Sequence, residues 1–116
     1  MNKANLSQKL CLFTDYWSPK TVGLFNGHDV MVAKIKGEYH WHSHADTDDF
    51  FYVLQGSIRI ELRDRTVHLA TGELFVVPRG VEHRPTADEE AHIMLIERSC
   101  TPNSGDVATA AKRELI

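Results

Sequence analysis

In the stretch His40-Trp41-His42-Ser43-His44-Ala45-Asp46-Thr47-Asp48-Asp49-Phe50-Phe51-Tyr52-Val53-Leu54-Gln55-Gly56, three imidazoles stand at alternate positions and a carboxylate heads the apolar run that follows. Side chains of an extended chain point to opposite faces with period two, so His42 and His44 present both rings to one side. His40 shares that parity but lies at the start of the run. Asp49 alternates with Phe51 and Val53, which puts it on the inward side at the head of a strand. Two histidines and a carboxylate on neighbouring extended segments form the facial arrangement that holds non-haem Fe(II) and related Mn, Zn or Ni ions. A third histidine on another inward strand would complete it. The bland alternative is an exposed edge strand with two solvated imidazoles and a turn carboxylate.

Outward from this stretch the chain breaks into short runs rich in β-branched and aromatic residues. Residues 21–25 and 29–36 read as strands around Asn26-Gly27, a strong hairpin signal. Residues 50–55 form a strand that Gly56 turns into residues 57–63. There Ile58, Ile60 and Leu62 face one way, and Arg59, Glu61 and Arg63 the other. Further strands are expected at 66–69, 74–77, 83–86 and 92–97, separated by Thr71-Gly72 and Pro78-Arg79-Gly80. The run Ile93-Met94-Leu95-Ile96 suggests burial on both faces. Short strands with frequent turn signals predict an antiparallel sandwich or barrel. At the N-terminus, Asn5 or Ser7 caps a short helix through Leu6, Leu10 and Phe13. Asp106 caps another over residues 107–115. The expected divisions are an N-terminal helical segment at 1–19, a β-barrel at 20–98 and a C-terminal tail at 99–116.

At 116 residues the chain is one domain's length, and its net charge of −3 offers no footprint for nucleic acid or an anionic membrane. No apolar run approaches the length of a membrane span and the first residues lack a signal-peptide core, so a cytoplasmic protein is expected. Cys11 and Cys100, a widely separated pair, read as free thiols. Histidine is the anomaly, with seven residues in the chain. There is no Gly-rich phosphate loop, no Gly-x-Ser-x-Gly elbow and no Cys-x-x-Cys pair. Metal chemistry is the one reaction class for which the residues argue.

Residues 37–56, with His42-Ser43-His44, Asp49 and Gly56, resemble the first motif of the cupin superfamily. Gly72-Glu73-Leu74-Phe75-Val76-Val77-Pro78-Arg79-Gly80-Val81-Glu82-His83 resembles the second, and the fifteen residues between Gly56 and Gly72 match the spacing of compact single-domain members. Asp49 stands where the family usually has Glu, and Ala87 where it often has Asn. The resemblance implies an all-β double-stranded β-helix, or jelly-roll barrel, of the RmlC-like kind. It implies one divalent transition metal (Fe, Mn, Ni or Zn) on His42, His44, Asp49 and His83. A small-molecule pocket is expected around it from Phe51, Val53, Ile58, Ile60, Phe75 and Met94. His28, His40, His68 and His92 are left as non-ligands, with His40 near the pocket mouth.

Two function classes follow from the resemblance: a metal-dependent oxygenase or isomerase acting on a small oxygenated molecule, and a non-catalytic ligand-binding or sensory barrel with a structural metal. A homodimer is also implied. The apolar early segment with Leu12, Phe13, Tyr16, Trp17, Val22, Leu24 and Phe25 suits an interface, or folds back over its own barrel.

Overall fold

The computed structural model of the chain describes residues 2–99 and 113–116. Its elements are a short helix, α1 (Leu6–Leu10), and the strands β1 (Lys20–Phe25), β2 (His28–Glu38), β3 (Asp49–Gln55), β4 (Ser57–Leu62), β5 (Thr66–Ala70), β6 (Leu74–Val77), β7 (His83–Arg98) and β8 (Glu114–Leu115). Asn5 caps α1, its Oδ1 accepting from the Gln8 amide at 3.0 Å. The helix stops short of Phe13, whose carbonyl accepts from the Lys34 ammonium at 2.7 Å. The Phe13 ring meanwhile packs under the Lys20 and Lys34 ammonium groups. Asn26 and Gly27 turn β1 into β2 with φ of 48° and 73°. Both central residues of a type I′ loop need that left-handed conformation, which is why this dipeptide marks the hairpin.

Strand β7 organises the rest. The sequence suggests two strands, at 83–86 and 92–97, but the ladder runs on through 16 residues. Its pairing with β2 passes from Ile35↔Ala91 to Gly37↔Ala87, so residues 88–90 bulge out at a corner while hydrogen bonding continues on both sides. Three exposed acids look like a loop in sequence, and at a bulged corner they serve equally well. Before the corner β7 pairs with β4, and after it with β3. One layer is therefore β5-β4-β7 with the end of β2. The other is β6-β3-β7-β2-β1-β8. The strands do not close into a continuous hydrogen-bonded ring, yet the fold is the expected all-β jelly roll.

The two layers enclose one core. Val53, Ile58 and Ile60 lie in it, and half-buried Phe75 packs against it. Met94 corrects the expectation for its strand. Alternation along β7 turns Ile93 and Leu95 inward and leaves Met94 half-buried on the opposite face. The apolar run 93–96 is thus buried fully on one face alone.

The helix expected over 107–115 falls largely outside the described residues, as does Cys100. Its last residue, Leu115, lies instead in β8, which runs parallel to β1 with Lys20↔Glu114 and Thr21↔Leu115. Cys11 is a free, exposed thiol. Among the described residues no helix is long and apolar enough to cross a membrane.

Candidate metal centre

His42 and His83 meet across an isolated bridge in which each backbone amide donates to the other's carbonyl, at 3.1 and 2.9 Å. The histidine-rich loop after β2 is thereby fastened to the start of β7. Gly80 N–H donates to the His44 carbonyl at 2.8 Å, and Asp48 Oδ1 accepts from the Arg79 amide at 2.9 Å. Asp48 is therefore the residue that pins the Pro78-Arg79-Gly80 turn. Its neighbour Asp49 opens β3 and faces inward.

These contacts gather His42, His44, Asp49 and His83, all buried, with one ligand-capable atom from each lying within 4.8 Å of the others. Asp49 Oδ2 is the hub, 2.8 Å from His83 Nε2, 3.4 Å from His44 Nε2 and 3.8 Å from His42 Nε2. The far nitrogens fix the tautomers. His42 Nδ1 lies 3.0 Å from the His40 carbonyl and His83 Nδ1 lies 2.9 Å from the Val81 carbonyl. A carbonyl only accepts, so each Nδ1 carries a proton, and each ring turns its Nε2 toward Asp49. Metal-ligating histidines are oriented in this way by their outer nitrogen.

Two buried atoms of the cluster, His44 Nε2 and Asp49 Oδ1, have no hydrogen-bond partner. Buried polar atoms are rarely left so. Three imidazole nitrogens gathered around one carboxylate, two of the cluster's atoms without partners, make a donor set of three imidazoles and one carboxylate that can hold a divalent transition ion. Burial pushes the Asp49 carboxyl up, but the surrounding imidazoles of His42, His44 and His83 outweigh it and hold Asp49 well below the usual carboxylate range.

His42 and Asp49 open onto a cavity with about 50 Å³ of free interior, room for a few waters. Of the expected pocket residues, Phe51 lines it; Val53, Ile58, Ile60 and Phe75 belong to the packing beyond, and Met94 faces away. Ile93 and Leu95 take the place assigned to Met94. At the wall Trp17 stacks on Tyr39 with centroids 4.9 Å apart. Trp17 holds φ at 59° while its amide donates to the Lys34 carbonyl and its Nε1 to the Lys36 carbonyl. Trp17, one of the early apolar residues, thus folds back over its own barrel. His40 is exposed, stacked on the Tyr39 ring rather than lining the cavity. His28 and His92 bond to Asn26 and Glu90 at the surface, and His68 is exposed on β5.

Sequence reasoning misses Glu97. It lines the same cavity, is only 5% exposed, and its Oε2 accepts from Arg113 Nη2 at 2.6 Å. Burial first, then the Asp49 carboxylate, push Glu97 up to about 9 against the opposing pull of Arg113. Its inward parity with Ile93 and Leu95 was the available signal.

A sequence model described as "Cupin domain" matches residues 29–97. A cupin-2 domain containing protein from Shewanella frigidimarina is similar in structure, with a TM-score of 0.81 and 43% identity over 82% of this chain and 93% of that one. In sequence, the Bacillus subtilis protein YdbB is 40% identical over 51% of this chain and 53% of its own length. An acireductone dioxygenase from Tuber melanosporum is 30% identical over 66% of this chain and 43% of its own. The chain thus spans about half the length of these curated relatives. The matched region runs from β2 to the end of β7 and contains the whole histidine and carboxylate cluster, and on that ground the chain belongs to the cupin family.

Proposed function

We propose that the chain is a metal-dependent enzyme of oxygenase or isomerase type acting on a small oxygenated molecule, with His42, His44, Asp49 and His83 holding one divalent transition ion. The observation that carries this is the convergence of His42, His44, Asp49 and His83 on one buried point, beside the partnerless His44 Nε2 and Asp49 Oδ1. Similarity to acireductone dioxygenases supports the reaction class. Such an ion, when bound, polarises a carbonyl or enol oxygen, and iron additionally supports dioxygen chemistry.

The remaining roles belong to the protein. The His40 and Val81 carbonyls keep the His42 and His83 rings in the ligating tautomer. Trp17, Tyr39, Phe51, Ile93 and Leu95 give the cavity apolar walls that exclude bulk water and favour a compact, largely uncharged ligand. We also propose a homodimer, supported by the exposed Leu24 and Phe25 at the end of β1.

Elemental analysis of the purified protein, with a turnover screen of small enediols, phenols and carbonyl compounds under air and under nitrogen, tests the assignment. Near-stoichiometric metal with metal-dependent product formation is expected. Metal-free protein would overturn the ligand set, and tight ligand binding without turnover would overturn the enzymatic assignment in favour of a sensory barrel.

A further inference from the structure

The described part of the chain's end carries one side chain into the neighbourhood of the cluster. Arg113, just ahead of β8, is only 9% exposed. Its Nη2 donates to Glu97 Oε2 at 2.6 Å, while Nη1 donates to Asp29 Oδ2 at 2.9 Å and to the Arg98 carbonyl at 3.2 Å. Asp29 is in turn fixed by the Ser99 hydroxyl at 2.8 Å. The guanidinium is therefore held by β2 and by the end of β7, and β8 anchors its own backbone against β1.

Glu97 is the group this clamp restrains. It shares the cavity with His42 and Asp49, yet it stands apart from the four-residue cluster. Carboxylate oxygens are good ligands for the ions that three imidazoles and a carboxylate select. A glutamate free to change rotamer beside such an ion would bind it as a fifth protein ligand and fill a position that substrate needs. A charge-assisted bond to arginine competes directly with that movement.

We propose that Arg113 is a positioning residue that holds Glu97 off the metal and so keeps a coordination position open for small ligands. This inference rests on the metal assignment proposed above. Cobalt(II)-loaded protein tests it through the visible spectrum, whose intensity falls as coordination number rises, and through titration with azide as a small ligand for an open position. Wild type should respond to azide, and Glu97→Gln should leave the cobalt spectrum unchanged. In Arg113→Met the bands should weaken and azide affinity should fall at least tenfold, with both restored in Arg113→Met/Glu97→Gln. A folded Arg113→Met with the wild-type spectrum and azide response overturns the proposal. So does a spectral change in Glu97→Gln, which would make Glu97 a ligand already, or a wild-type protein blind to azide. These last two results remain decisive even if Arg113→Met fails to fold. Failure of wild type to take up cobalt would remove the metal assignment itself, an outcome distinct from all of these.

Discussion

His42 and His83 lie 41 positions apart in the chain and exchange both backbone hydrogen bonds, so the first and second histidine motifs are joined at the main chain before any side chain meets. The bridge aims two Nε2 atoms at one carboxylate through main-chain hydrogen bonds. Preorganisation of this kind reduces the ordering cost of ligand capture.

His44 tests the ligand set most directly. Its Nε2 is buried without a partner, so His44→Ala leaves the fold's hydrogen bonding intact while removing one donor. Metal affinity should fall by more than the 10–100-fold typical of a change to a ligand's supporting partner, as ~100-fold or greater in a competition titration with a chromophoric chelator. Full metal retention would exclude His44 from the set.

Metal removal should lower thermal stability. An ion present at 100 times its dissociation constant stabilises the native state by about 2.7 kcal/mol, which for a domain of this size corresponds to a shift of roughly 10 °C. Calorimetry before and after dialysis against a chelator gives the comparison. His44→Ala should show little of this difference.

Acid should weaken the clamp around Arg113. Burial pushes the Asp29 carboxyl up, but the hydrogen bonds from Arg113 and Ser99 prevail and hold it below its ordinary 3.8. Because the folded value lies below the unfolded one, the stabilisation is fully present above about pH 4 and is lost as pH falls through the folded value. Asp29→Asn should therefore cost stability at neutral pH, by about 1–3 kcal/mol as for other charged hydrogen bonds. Its deficit should shrink on acidification in urea titrations at successive pH values.

Gly56 is fixed by geometry rather than chemistry. Its φ is 86°, and a Cβ there would stand 3.3 Å from both Ala91 Cβ and the Glu90 carbonyl oxygen at the corner of β7. Gly56→Ala combines left-handed strain with crowding against backbone and should destabilise by about 1–3 kcal/mol in equilibrium unfolding. Gly72→Ala has a similar φ but open space around it, so it should cost less.

Leu24 and Phe25 are 74% and 62% exposed at the end of β1. If they form the dimer face, Leu24→Glu/Phe25→Glu should elute later than wild type in gel filtration while keeping the wild-type circular-dichroism spectrum. Co-elution of the two proteins as monomers would dispose of the dimer.

The legible parts of this molecule are those in which a local pattern carries the whole message. Asn26-Gly27 needs no distant partner to make a type I′ turn, and alternation in Ile58, Ile60 and Leu62 states its own inner face. His42, His44 and Asp49 were visible through strand parity, which is local, and His83 through the resemblance of residues 72–83 to a cupin motif; the structure brings the four together. Glu97 and Arg113 were not, because their pairing depends on the chain's end returning to β1, which no periodicity announces. Trp17 was left open between an interface and its own barrel, because nothing local says that its ring will donate to the Lys36 carbonyl of β2. Met94 failed on parity, since a continuously apolar run hides which face is covered.

The passage of β7 through both layers has a consequence for how the molecule breathes. A strand paired with β2, β3 and β4 cannot be exposed by fraying any one neighbour, so its amides should exchange with solvent deuterium only through global unfolding. His83 sits at the head of that strand and Glu97 near its foot. Pro85, Ile93, Leu95 and Glu97 line the cavity from that strand, so one of its walls is carried on a part of the chain expected to exchange slowly.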